Sequence, residues 1–154
     1  MLRQLEVDIS GVTIDGKDVP VKLRVHQSLF VPMAKWSMLL TGNYRCVTKD
    51  NVIPIKQAVH SNLEESRSIY QWVDKLAGTL GANPEDQVPF EKYAKAAESL
   101  MKPSSAARAI ASGTSSIERV DLLVQTVALQ LGMSLEAVDN TVEIVSSRLI
   151  QNQR

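Results

Sequence analysis

A single cysteine, Cys46, excludes an intrachain disulfide across the 154 residues and gives no sign of an oxidising compartment. Its simplest role is a small apolar filler on a strand, with a reactive thiol as the alternative. Two histidines and that cysteine assemble no zinc site without carboxylates, and no cluster has ligand spacing, so neither a metal nor a cofactor is expected. Neither sign of charge prevails. Seventeen Lys plus Arg balance seventeen Asp plus Glu, which removes any general drive toward nucleic acid or acidic membranes, though a local patch is still open. No uninterrupted apolar run approaches the roughly 20 residues of a membrane span. Met1 to Ser10 alternate instead of forming a signal-peptide core. Cytoplasmic location is therefore the default expectation, with host cell and virion both open. There is no internal repeat, no low-complexity tract, no Gly-rich phosphate loop after a strand and no Gly-x-Ser-x-Gly elbow.

What is present is ordinary for a globular chain: 44% apolar and 22% charged residues, in a length that suits one domain. Leu5, Val7 and Ile9 alternate with polar residues, the phase shifts at Ser10-Gly11, and Asp15-Gly16 is a two-residue hairpin signal. Pairing outward from that turn sets Ile14 opposite Lys17 and Val12 opposite Val19. A bulge at Ser10-Gly11, placed against Pro20, then sets Ile9 opposite Val21, Val7 opposite Leu23 and Leu5 opposite Val25.

An apolar segment, Leu29 to Leu40, follows, with Pro32 in the first turn of a short helix that Thr41-Gly42-Asn43 ends. Tyr44 to Thr48 and Val52 to Ile55 have the pattern of two short strands. From Ser61 onward the chain has helical patterning. Ser61 with Glu64, and Ser115 with Glu118, match capping boxes. Gly78 and Gly81 end the first of these helices, Asn83 to Asp86 make a turn, and Pro89 opens another helix that Pro103 stops. Ala106 to Ala111 add one or two turns. The Ser-, Ala- and Gly-rich stretch from Pro103 to Ser116 is the candidate hinge between an α+β body, residues 1–103, and a helical subdomain, residues 104–154; the two could equally form one continuous domain.

The fold class expected is thus α+β: an N-terminal antiparallel hairpin sheet packed with helices, and a C-terminal helical pair. That pair is the most informative stretch. Val124 to Thr141 place small Ala128 where two helices cross, Gly132 where the first must stop, Ser134 where a second needs a cap and Val138 where it returns to the core. The pattern resembles, over residues 120–150, the helix-turn-helix of sigma-factor and response-regulator DNA-binding domains. The resemblance implies a second helix lying in a major groove. That helix carries Glu136, Asp139 and Glu143 and no basic residue before Arg148, a charge that phosphates repel. Lys102, Arg108 and Arg119 form a sparse basic set nearby.

The helix after Ser61 carries two apolar stripes, the second centred on Ile69, Trp72 and Leu76. Either two neighbours of its own chain cover it or the second stripe meets another chain. Trp36, among Met33, Leu39 and Leu40, poses the same choice, and so do Leu135 and Val142 on the last helix. His26 on the second strand and His60 before a cap suit solvated or capping roles better than a general base. The expected function is a non-catalytic interaction or assembly protein, host or viral, acting through these helix and strand surfaces in a homo-oligomer or larger complex. Its candidate interaction residues are Ile69, Trp72, Leu76, Trp36, Leu135 and Val142. The alternatives are a helix-turn-helix DNA-binding regulator and a small enzyme whose site has no recognisable motif.

Overall fold

Asp15 and Gly16 both take positive φ, 53° and 74°, the backbone that a two-residue hairpin turn requires. Around them β1 (Thr13–Ile14) and β2 (Lys17–Asp18) pair antiparallel, with Ile14 opposite Lys17 as the turn dictates. The computed structural model describes residues 1–18, 23, 25 and 30–153. Val19, Pro20, Val21, His26 and Leu29, and the readings that rest on them, lie outside the described residues.

The rest of the expected hairpin is overturned. Leu2–Ser10 form a helix, α1, so Leu5, Val7 and Ile9 are not strand residues, and the pairs proposed for Val7 with Leu23 and Leu5 with Val25 do not form. No bulge exists at Ser10-Gly11, because this stretch closes the helix, the Gly11 N–H bonding the Asp8 carbonyl and the Val12 N–H the Ile9 carbonyl. The segment satisfies two periods. Leu5, Val7 and Ile9 alternate, but Leu2, Leu5, Ile9 and Val12 recur at helical spacing, and the helical period prevails.

Beyond the hairpin the described chain is helical, with α2 (Ala34–Met38), α3 (Ile55–His60), α4 (Leu63–Thr79), α5 (Phe90–Ala97), α6 (Ser105–Ala111), α7 (Val120–Gln130) and α8 (Glu136–Gln151). The architecture is mostly helical, with one small two-stranded antiparallel sheet among the described residues. Pro32 does sit in the first turn of a short 3-10 helix, Val31–Met33, that runs on into α2. Thr41-Gly42-Asn43 does not stop the chain. It continues through a π turn, Leu39–Asn43, and a 3-10 turn, Tyr44–Cys46, so Cys46 is not on a strand. The two expected strands reduce to one antiparallel bridge between Val47 and Val52. Burial pushes the Cys46 thiol up, away from the reactive thiolate.

Gly42 is where the π turn passes closest to α5. A Cβ there would overlap the Tyr93 hydroxyl, which donates to the Met38 carbonyl at 3.1 Å, and would crowd Ile55 Cγ2 at 3.2 Å. Tyr93 is stacked on Tyr70 and cannot swing away freely. Gly42→Ala is expected to lower stability by about 1–3 kcal/mol in urea unfolding. In a Tyr93→Phe background, where the hydroxyl is absent, the loss should shrink; an equal loss there would place the strain elsewhere.

Capping is displaced from its expected positions. Ser61 is helical at φ −63° and ψ −32°, closing α3, so the extended Asn62 caps α4 by accepting from the Glu65 N–H at 3.1 Å. α7 likewise begins past the Ser115–Glu118 pair, and no side chain of its own N-cap, Arg119, does the capping. Tyr44 does it from 76 residues away: its hydroxyl accepts from the Val120 N–H at 2.9 Å and donates to the Glu118 carbonyl at 2.6 Å.

α4 is the central element. Tyr70 faces Phe90 and Tyr93 of α5 in one core cluster. Ile69, Val73 and Leu76 face Leu40, Val124, Ala128 and Val138 in a second. A third gathers Tyr44, Cys46, Ala58, Ala107, Ile110, Val145 and Leu149. The stretch expected to hinge is anchored in it: Ser104 is buried, donates to the Asn43 carbonyl at 2.7 Å, and accepts from Ala107 to cap α6.

Candidate functional site

The α7–α8 pair forms as its spacing requires. Gly132 takes φ +70°, and two bonds close the end of α7: Gly132 N–H to the Leu129 carbonyl at 3.1 Å, and Met133 N–H to Ala128 at 2.9 Å. Met133 folds back against the cluster containing Ala128. Ser134 does not cap α8. Leu135, extended at φ −147°, occupies that position without a side-chain bond, while Glu136 and Asp139 lie in the first turn. Carboxylates there complement the helix dipole, which gives the acidity of α8 a structural cause. No heavy atom lies within 4 Å of a Cβ at Gly132, so Gly132→Ala meets only backbone strain. We expect a loss of about 1 kcal/mol by chemical denaturation, with Gly132→Asn milder. A neutral Ala would show that the left-handed stop is dispensable.

The pair is locked by a buried charge. Asp121 is fully buried, and Arg119 Nε and Nη2 each donate to its carboxylate at 2.9 Å. The same guanidinium reaches Ser146 Oγ of α8 at 3.0 Å. Gln125 of α7 donates to Asp139 of α8 at 2.7 Å. Arg148 spends one nitrogen on the Thr48 and Asn51 carbonyls, at 2.9 and 3.1 Å, tying α8 to the turn before Val52.

Most of the candidate interaction residues meet one another inside the chain. Ile69 and Leu76 are fully buried under Val124, Ala128 and Val138, so the second stripe of α4 is the seat of the helix pair. Trp36, Trp72 and Leu135 are half-buried at the rim of that cluster. Val142 is buried, with its carbonyl accepting from Ser146. Burial periodicity marks these positions correctly as covered and cannot say by which chain. His60 lies at the end of α3, with Nε2 3.0 Å from the Ala94 carbonyl of α5.

Two outward surfaces of the pair remain. α8 shows water Glu136, Asn140, Glu143 and Ser147, the last three lining a cavity of about 490 Å³ shared with Lys49 and Asp50. Its lining is mixed in polarity and in charge. α7 presents a different face: Leu122, Leu123 and Leu129, exposed by 41%, 49% and 58%, with Thr126 and Gln130 between them and no charge among them. Sequence reasoning passed over these leucines, although Leu122 and Leu129 stand two turns apart opposite the buried Val124 and Ala128. No family model matches the chain, and neither do curated proteins or solved structures. No helix among the described residues is long and apolar enough to cross a membrane, and no group of three or more His, Cys, Asp or Glu there could hold a metal ion.

Proposed function

We propose that this protein is a non-catalytic interaction and assembly protein that binds protein through the outward face of α7. The observation that carries this reading is the uncharged row of Leu122, Leu123 and Leu129 on a helix whose opposite face is fully used by its own core. A surface helix normally turns polar side chains to water. Three neighbouring leucines half exposed on a rigid, doubly capped element are characteristic of a contact surface.

A DNA-binding reading would use α7 and α8 as a helix-turn-helix, and the charges oppose it. α8 exposes Glu136 and Glu143, Arg119 is committed to buried Asp121, and Arg148 is committed to main-chain carbonyls. Only Lys102 and Arg108 of the basic set keep free surface exposure. Without several cations facing phosphates, no counterion release drives binding.

The test is a pair of measurements on the full chain. Light scattering after size exclusion should show a self-associated or partner-bound species that Leu122→Glu with Leu129→Glu disperses without loss of helix content. Retention on duplex DNA at about 150 mM salt should be absent. DNA retention that strengthens on replacing Glu136, Asp139 and Glu143 by their amides would overturn the protein-binding reading.

A further inference from the structure

Residues 1–18 present a second unpartnered apolar surface. α1 buries none of its residues. Leu2 and Leu5 are 59% and 43% exposed, Val12 just beyond the helix is 46% exposed, and Ile9 completes the row. Leu2, Leu5 and Ile9 fall at i, i+3 and i+7, one stripe along two turns. Arg3, Gln4 and Asp8 lie off it, and Gln4 is bonded to Asp8 at 2.8 Å. The pattern is that of a helix with one face suited to an apolar surface, and none of its residues is buried among the described residues.

We propose that α1 of one copy of this chain lies on the Leu122–Leu123–Leu129 face of α7 in a second copy, and that the exchange is reciprocal. The inference rests on the reading of α7 as an assembly surface and names the occupant of that surface. Three observations select it. The two stripes match in length: Leu2 to Ile9 and Leu122 to Leu129 are each seven steps along a helix, about 10 Å. Their charges do not conflict, because the α7 face carries none, Arg3 and Asp8 lie beside the arm's stripe as a polar rim, and Glu6 sits at the stripe's edge, four residues after Leu2.

The third observation is area. The exposed fractions of these residues amount to roughly 600 Å² per copy, so a reciprocal exchange removes about 1,200 Å² from water before the rim is counted, where specific interfaces begin. One arm on one face reaches only half of that. A two-fold exchange is therefore the arrangement that the apolar surface can sustain, and it is isologous, each chain giving and receiving the same element.

The experiment uses two variants of the full chain. Leu5→Glu with Ile9→Glu spoils the arm and leaves α7 intact; Leu122→Glu with Leu129→Glu spoils the face and leaves the arm intact. Neither set touches the buried clusters, and circular dichroism checks that both variants stay folded. The native chain is expected to be a dimer by light scattering, and each variant a monomer with at least tenfold weaker association. Mixed, the two variants should associate more tightly than either alone and more weakly than the native chain, because one intact arm then meets one intact face and restores half of the buried surface. In a mixture of Leu5→Cys chains with Leu129→Cys chains, a disulfide should link the two, since the buried Cys46 does not compete.

If the face variant is monomeric while the arm variant still dimerises, the arm is not the occupant, and the assembly reading of α7 survives. An intramolecular disulfide alone in a chain carrying both cysteines would show the arm seated on its own body and overturn the exchange. A native chain monomeric at every concentration also overturns it. In that case the α7 reading stands only if a protein other than a second copy is lost with the face variant.

Discussion

Arg119→Ala should cost about 3–5 kcal/mol of folding stability, because it strands a fully buried carboxylate. Asp121 has no water to turn to. Its two oxygens accept from Arg119 Nε and Nη2, and Arg119 alone neutralises it. The dipole of α7, in whose first turn Asp121 sits, offsets only part of that loss. The guanidinium also bridges to Ser146, so its removal loosens α8 from α7. Asp121→Asn should lose less, since the Arg119 side chain keeps 19% of its surface exposed and can reach solvent when its partner is neutral. Replacing both at once, Arg119→Met with Asp121→Leu, should recover most of the loss, because a buried ion pair is dear mainly to whichever partner is left alone. Urea unfolding at unchanged slope measures each variant. A loss below about 1 kcal/mol for Arg119→Ala would put the pair in the class of exposed surface bridges and refute its locking role.

The parts of this fold that were legible from the sequence are those decided within a few residues. Asp15-Gly16 and Gly132 announce positive φ locally, and both take it. Residues 83–86 form the expected turn, which the structure shows to be capped, with Asp86 accepting from the Asn83 N–H at 3.1 Å. α1 failed for a local reason too. Nine residues satisfy both an alternating and a helical period, and without a sheet to complete, the helix is what forms.

Other errors are tertiary. Nothing near Val120 shows that a tyrosine 76 residues earlier will cap it, so the local Ser115–Glu118 motif predicts a start that the helix does not use. The π turn at Leu39–Asn43 places Gly42 against Tyr93, a contact that spacing along the chain does not encode. The candidate site was legible as covered surface and not as a choice between chains. Ile69 and Leu76 read alike whether the cover is α7 or a partner. The α7 leucines are hard to single out because Val120, Val124, Val127 and Ala128 make the helix apolar on its inner side as well, so spacing alone does not separate the two faces.

Leu76 decides that choice by experiment. It is fully buried, in a cluster with Leu40, Ile69, Val73, Val124, Ala128 and Val138, where α4 meets the helix pair. Leu76→Ala deletes side-chain volume between elements that Arg119, Gln125 and Arg148 hold in place, so the gap closes only in part. The expected loss is about 2–5 kcal/mol, combining lost transfer energy with the residual cavity. It should be independent of protein concentration, because the contact lies within one chain. Leu129→Ala is the control: it lies on the open side of α7 and should change monomer stability by no more than about 0.5 kcal/mol. Its effect should appear instead in association, as a concentration-dependent shift in the unfolding midpoint. Had the second stripe of α4 faced a partner, the two results would be exchanged. A Leu76→Ala variant as stable as the parent but deficient in self-association would place the interface on α4 and return α7 to the role of an ordinary surface helix.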